Sequence, residues 1–169
     1  WLPMLCLGMA NTTFVGQNLG AGKLDRVKKG VNIGILIAMA GTAIIVVPLM
    51  CFSDTMLKLF NSDPEVLRYG RMFVLYMSPF YIPYCATQIY SGALRGAGDS
   101  LSPMIVTIAS FVVFRQLYLL IGTQFISSPL FVGLSYPAGW IVSTITLFII
   151  YRSGRWERKL PAHVRIQAA

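Results

Sequence analysis

An all-α, polytopic membrane helix bundle is the fold this sequence predicts, and three observations carry that prediction. Of 169 residues, 56% are apolar and only 12% charged, whereas an ordinary soluble domain devotes about 25% to charge. The charges are also segregated, leaving uncharged runs at 1–22, 30–53, 72–94 and 116–151 and a further stretch at 100–114. Each of the first four reaches the roughly 20 residues a helix needs to cross about 30 Å of hydrocarbon. Finally, Ile33–Phe52 is apolar on every side, with only Gly41, Thr42 and Pro48 interrupting. A soluble helix needs a wet face. Barrel strands are about ten residues long and alternate in polarity, which these runs do not.

The first helix covers Trp1–Leu19 and stops at Gly20 and Gly22, ahead of a basic turn at Lys23–Lys29. The chain opens at Trp1 inside an apolar run, without the basic flank of a signal peptide, and so reads as beginning within a larger protein. A second helix runs from Leu24 through Met50, with Pro48 marking its outer end. Asp54–Phe60 then forms a short amphipathic turn suited to the headgroup boundary. Ser62 caps the third helix, with Pro64 in its first turn and Glu65 three residues beyond the cap. This helix continues to Leu94 and should bend at Pro79 and Pro83, where carbonyls lose their partners. A turn at Arg95–Ser100 leads to a fourth helix, Leu101–Ile121, and the uncharged connection Thr123–Pro129 to a last one, Phe131–Tyr151. The membrane unit is therefore 1–152, followed by a basic tail, 153–169.

The net charge of +8 would suggest nucleic acid in a soluble chain. Here it reports orientation. With alternating helices, ten basic residues fall on one side and three on the other, which places the richer side and the carboxyl tail in the cytoplasm. No nucleic-acid partner is expected. Cys6, Cys51 and Cys85 have no metal-ligand spacing and read as packing residues, while Tyr118, Tyr136, Trp140, Tyr151 and Trp156 include candidate interface anchors. The glycines of 15–23 and 96–99 follow membrane helices rather than strands and lack a Walker ending, so they do not hold nucleotide phosphates. His163 is the single histidine and no catalytic grouping is present; neither enzyme activity, a metal nor a cofactor is expected.

Several polar residues in the spans need an account. Arg115 is a charge inside a crossing. It either snorkels or pairs within the bundle, or else touches cargo, and no acid in the chain lies at its depth. On the third helix Tyr76, Phe80, Tyr84, Thr87 and Gln88 recur at three-to-four-residue spacing. Such a stripe lines a cavity, where water or cargo satisfies the polar groups, or fastens neighbouring helices together. On the first helix Asn11 and Gln17 are costly in lipid and should point into the bundle.

Two segments carry a resemblance. Asn11–Gly22 with Arg26 resembles the signature that ends the second helix of each lobe in the multidrug and toxic compound extrusion family. Gly16, Gln17, Gly20 and Gly22 are its structural residues here. Ser91–Ser100 with Pro103 resembles the family's turn between a lobe's fourth and fifth helices, and Arg95, Gly96, Gly98 and Asp99 carry the match. The resemblance implies a twelve-helix, two-lobe protein that exports cationic or amphipathic organic compounds in exchange for Na+ or H+ across a bacterial inner or plasma membrane. The ending Tyr151–Trp156 is similar to the family's carboxyl end, which implies helices eight to twelve of the second lobe, lacking the amino-terminal lobe. One branch of the family carries an aspartate eleven residues before the turn arginine; this chain has Tyr84 there. Ion coupling is then expected mainly outside this chain. The cavity candidates are Asn11, Tyr76, Phe80, Tyr84, Thr87, Gln88 and Arg115. A lipid-linked precursor flippase and a membrane structural or channel subunit are the alternatives.

Overall fold

Every regular element in the computed structural model, which describes residues 2–125, 128–158 and 160, is helical. Trp1, residues 126–127 of the outer connection and most of the tail, including His163 and Arg165, lie outside the described residues. The helices are α1 (Leu2–Gly20), α2 (Leu24–Cys51), α3 (Ser53–Lys58), α4 (Pro64–Met77), α5 (Tyr81–Gly96), α6 (Leu101–Ile108), α7 (Arg115–Gly122), α8 (Pro129–Arg152) and α9 (Arg155–Arg158). A 3₁₀ turn, Ser78–Phe80, joins α4 to α5, and a π-helical segment, Ala109–Phe114, joins α6 to α7. Three spans are long and apolar enough to cross a membrane by length and composition: Leu24–Cys51, Leu101–Gly122 and Pro129–Arg152. The other two helical segments are less uniformly apolar: α1 is diluted by Asn11, Thr12, Thr13, Gln17 and Asn18, and the 3₁₀ turn divides the third, whose first half, α4, has no buried residue while α5 is largely buried.

Two sequence expectations are corrected locally. The cap of α4 is Asp63 rather than Ser62: its carboxylate accepts the Glu65 N–H at 2.8 Å, with Asp63 itself extended at φ −66°, ψ 124°. Proline at 64 forces the residue before it out of the helical region, so the cap must be residue 63. Pro48 lies inside α2 rather than at its end; the Phe52 N–H still reaches the Pro48 carbonyl at 2.9 Å, so the last turn closes around it.

The centre of the bundle is α5, which touches α1, α2 and α8 and is buried at Tyr84–Thr87 and Ile89–Leu94. Its composition explains the position. Small residues admit neighbouring backbones closely, and Asn, Thr and Cys side chains tie helices together where lipid offers no partner. Asn11 on α1 donates its side-chain N–H to the Ile89 carbonyl at 2.8 Å, Thr42 on α2 meets Cys85 at 2.8 Å, and Thr87 meets Thr144 on α8 at 2.6 Å. The seam with α1 is the tightest. A Cβ built on Gly92 would overlap the carbonyl oxygen of Gly8, and one on Gly96 would lie 2.5 Å from the carbonyl oxygen of Thr12. Gly8, Thr12 and Gly16 thus mesh in order with Gln88, Gly92 and Gly96, so α1 and α5 run parallel. By contrast Gly34 lies beside Ile89 and Thr42 beside Cys85, so α2 runs against them. Away from this centre, Leu36, Ile37, Ile44 and Ile45 of α2 and Ile105, Ile108, Val112 and Leu117 of the fourth crossing are exposed. They form the apolar exterior that a bilayer covers.

The two glycine turns have the same backbone geometry. Gly22 (φ 70°) and Gly98 (φ 85°) adopt the left-handed conformation, and the next residue bonds back across five positions, Lys23 to the Asn18 carbonyl and Asp99 to the Leu94 carbonyl, each at 2.9 Å. This helix stop favours glycine because any Cβ is strained there. Asp99 then receives the Ser102 hydroxyl at 2.7 Å and opens α6. At the same end, Lys28 pairs with Glu157 at 3.0 Å, tying the start of α2 to α9. At the opposite end Arg71 pairs with Asp54 at 3.2 Å. The Lys28–Glu157 pair is half exposed, and exposed pairs contribute about 0.2–1 kcal/mol. Glu157→Gln should therefore lower the melting temperature of purified protein by no more than a few degrees, with the loss vanishing in high salt.

The expected packing and anchoring roles are divided. Cys85 is buried, but Cys6 and Cys51 are exposed. Trp140, Tyr151 and Trp156 are buried rather than anchored at an interface; Trp156 stacks on Tyr151 at 5.4 Å and donates its indole N–H to the Tyr151 carbonyl at 2.9 Å. The α9 turn folds that ring back under the bundle, where its N–H finds a carbonyl instead of a headgroup.

Candidate functional site

The π-helical segment governs the placement of the charge that follows it. Its i→i+5 turn rotates less per residue than an α-turn, and it occurs where α8 comes close: a Cβ on Gly139 would lie 3.2 Å from the Ser110 carbonyl oxygen. Arg115 emerges from this segment toward α8. Its Nε donates to the Ser135 hydroxyl at 3.3 Å, and its guanidinium carbon lies 3.6 Å from the centroid of the Tyr136 ring. Ser135 is fully buried, and its own hydroxyl donates to the Val132 carbonyl at 2.7 Å. Arg115 is thus held by a hydroxyl and an aromatic face, both on α8, in place of an acid. Among the described residues the ion pairs are confined to the ends of the bundle.

These groups line a cavity of about 440 Å³ together with Met77, Tyr81, Phe111, Gly139 and Trp140. Its walls are mutually braced: Trp140 lies 4.8 Å from Tyr81, 5.1 Å from Tyr84 and 6.5 Å from Tyr136, centroid to centroid. Volume and lining match a small-molecule site, in which aromatic surface supplies contact area and a few polar groups fix orientation. Arg115 is the one charged residue in the lining. A larger groove of about 690 Å³ lies between α1 and α2. It is walled by Leu7, Phe14, Ile33 and Ile37 with Asp25, Arg26 and Lys29 at one end, and its Asn11 amide is engaged with Ile89. The smaller cavity is the better candidate because its single charge, held on Ser135 and Tyr136, stands among aromatic walls with no acid in the lining, whereas the groove's basic residues share their lining with Asp25.

The structure separates the aromatic stripe read from the sequence. Tyr76 is 54% exposed on α4, Phe80 packs at the margin of the core, Tyr84 is 1% exposed, and Thr87 is engaged with Thr144. The 3₁₀ turn is the reason: at three residues per turn it advances faster than an α-helix, so the phase carried from Tyr76 is lost before Tyr84. Tyr84 and Gln88 remain together, the Gln88 amide donating to the Tyr84 hydroxyl at 2.8 Å. Tyr84 stands behind Tyr81 and Trp140 as a second layer of the wall. Asn11 points inward as expected, but Gln17 is exposed. Six residues at 100° each put the two on different faces. Of the signature residues, Gly16, Gly96, Gly22, Gly98 and Asp99 serve the seam and turns described above. Gly20 has no neighbour within 4 Å of a built Cβ, and Arg95 donates to the Ser91 hydroxyl at 3.3 Å.

Of the seven candidates read from the sequence only Arg115 lines this cavity; Met77, Tyr81, Phe111, Ser135, Tyr136, Gly139 and Trp140 were not foreseen as lining. Ser135, Gly139 and Trp140 lie on one helical face of α8 at i, i+4 and i+5, a small-residue and aromatic pattern that reads equally as packing. Among the described residues no group of three or more His, Cys, Asp or Glu is placed to hold a metal ion.

Comparison with known proteins matches residues 1–120 to the MatE family model. The chain is similar to a probable multidrug resistance protein, YpnP, of Bacillus subtilis, with 26% identity over 156 residues, 92% of this chain and 35% of that protein. It is similar to a probable multidrug resistance protein, NorM, of Thermotoga maritima, with 23% identity over 160 residues, 94% and 34% of the two chains. Similarity extends to a protein named FAD transporter from Shewanella oneidensis, with 24% identity over 112 residues, 66% of this chain and 25% of that one. The chain spans about a third of the length of the first two relatives.

Proposed function

The chain belongs to the MatE family, and from that premise we propose that it forms most of the carboxyl-terminal lobe, about helices eight to twelve, of a secondary active multidrug exporter. The remaining lobe supplies the opposite wall of the transport path. The protein moves cationic or amphipathic organic compounds by alternating access, in exchange for Na+ or H+, without ATP. The observation that carries this reading is the braced aromatic cavity inside a membrane bundle, with a charge at its edge. A guanidinium is always positive, so within this cavity the amphipathic part of the cargo range is favoured over the cationic part. Tyr84 stands where one branch of the family carries an acid, and the cavity lining contains no carboxylate. Coupling-ion binding therefore falls mainly outside this chain, to the other lobe or to helix seven. The end bearing Lys23–Lys29, Arg95 and Arg152 faces the cytoplasm, by the excess of basic residues there.

The test is transport of a fluorescent amphipath into proteoliposomes under separately imposed Na+ and H+ gradients. One gradient should drive accumulation above equilibrium, and adding ATP should change nothing. Insensitivity to both gradients would defeat the antiporter reading. Robust movement of lipid-linked precursors with none of soluble compounds would assign a flippase, and ion conductance without accumulation a channel.

A further inference from the structure

We propose that the Arg115 cavity is a binding site for flat aromatic carboxylates, with Arg115 as the residue that selects an anionic head over a cationic one. The proposal rests on the transport reading for what becomes of the bound compound, and on geometry alone for its binding.

Three features converge. The guanidinium is oriented before any ligand arrives: Tyr136 supports its face and Ser135 takes its Nε–H. Ser135 is itself fixed, fully buried and bonded to the Val132 carbonyl, so the side chain is anchored along one edge and one face. Second, neither terminal nitrogen of Arg115 has a hydrogen-bond partner or an acid within ion-pair distance among the described residues. Those nitrogens carry four N–H donors in a plane, the arrangement that grips a carboxylate by two parallel bonds. Arg115 is half-buried, and a partly desolvated cation unpaired by acid gains from such a ligand, because a carboxylate replaces the water that partial burial removed. Third, the remaining walls are rings. Trp140, Tyr81 and Phe111 offer flat apolar surface, and about 440 Å³ is room for a fused two-ring system together with its carboxylate.

The same geometry argues against an ammonium ligand. Aromatic faces attract cations, but the face of Tyr136 is already covered by Arg115 at 3.6 Å. A second positive charge in a cavity whose lining holds Arg115 and no acid meets repulsion at short range.

The test measures binding of radiolabelled 2-naphthoate, 2-naphthylmethylammonium and neutral 2-naphthylmethanol to the protein in phosphatidylcholine nanodiscs. Naphthoate should bind at least about tenfold more tightly than the ammonium, the ratio a charge-assisted bidentate pair supplies. Arg115→Gln should remove about that tenfold advantage while leaving naphthylmethanol bound as before, which also shows that the aromatic walls still fold. Arg115→Lys, which keeps the charge and loses the planar fork, should fall between the two and serves if the glutamine variant loses both ligands. Ser135→Ala should weaken naphthoate about threefold by releasing the Nε anchor. Equal or tighter binding of the ammonium would overturn the proposal, as would unchanged naphthoate affinity in Arg115→Gln. Loss of naphthoate binding in phosphatidylglycerol nanodiscs would overturn it too, by assigning the guanidinium to a lipid headgroup. Gradient-driven export of other compounds without naphthoate binding would sink this inference and leave the transporter reading intact. Arg115-dependent binding without any export would do the reverse.

Discussion

Gly92→Val is expected to prevent the bundle from assembling as a monodisperse species in detergent. The seam between α1 and α5 is backbone against backbone, since the first atom a Cβ at 92 meets is the carbonyl oxygen of Gly8. A flexible side chain could swing aside; a helix carbonyl cannot move without moving its helix. Thr12 Oγ1, 3.2 Å from the same position, closes the alternative direction. Separating the helices would lengthen the Asn11–Ile89 hydrogen bond, now 2.8 Å, and leave an amide without a partner in apolar surroundings. Overpacking of this kind costs about 1–3 kcal/mol and sometimes more, and the orphaned amide adds roughly 1–3 kcal/mol. Membrane helices have no hydrophobic drive toward one another and depend on close packing at such seams, so little else in the bundle can offset the cost. Gly20→Ala is the matched control. Nothing lies within 4 Å of a Cβ there, and exchange of glycine for alanine in a helix gains up to about 1 kcal/mol. Thermal denaturation of both variants, followed by size-exclusion recovery, decides the matter. A Gly92→Val protein that melts within a degree or two of the parent would show that the seam is not close-packed.

The fold was legible in the sequence wherever the physics is one-dimensional. Segregated charge, run length and the absence of alternation identify the crossings from Leu24, Leu101 and Pro129, because a bilayer acts on each segment separately. The glycine turns at 22 and 98 were readable for a similar reason, as a helix stop is local. What the sequence conceals is phase and partnership. Tyr76 and Tyr84 share a stripe only if the helix between them is uniform, and the 3₁₀ turn at Ser78–Phe80 breaks that condition. Two prolines foretold a bend without saying by how much the second half would rotate. Arg115 was recognisable as a charge needing an account, but its partners, Ser135 and Tyr136, stand twenty residues on, on another helix. An acid-to-base pairing announces itself by charge; a guanidinium on a phenol and a hydroxyl does not. The role of Gly92 was hidden likewise, since small residues are common in membrane helices and only the opposing Gly8 makes this one indispensable.

Trp140→Ala is expected to lower both stability and ligand affinity, while Trp140→Phe should preserve most of each. Trp140 is 7% exposed, and its ring contacts Tyr81, Tyr84 and Tyr136. It therefore joins the outer wall of the cavity, Tyr81 and Tyr136, to the inner layer, Tyr84. Truncating a buried tryptophan costs about 3–5 kcal/mol in soluble cores. In a bilayer the share due to leaving water is absent, but the share due to the vacated volume remains, since lipid tails cannot fill a space enclosed by protein. A destabilisation of about 2–3 kcal/mol is then expected, visible as a fall in melting temperature. The vacated space would also open the cavity toward Tyr84 and its Gln88 donor. A flat ligand would then stack on one wall fewer and meet an amide instead. Naphthoate and naphthylmethanol should weaken together by about tenfold, because the indole offers both the same apolar ring surface and distinguishes neither head group. That pattern separates Trp140 from Arg115, whose replacement by glutamine should affect naphthoate and spare the alcohol. Binding isotherms of both compounds with Trp140→Ala, Trp140→Phe and Arg115→Gln provide the comparison. If the alanine variant weakened naphthoate but not the alcohol, Trp140 would be acting through the placement of Arg115 rather than as a wall, and the division of labour between ring surface and guanidinium would have to be abandoned.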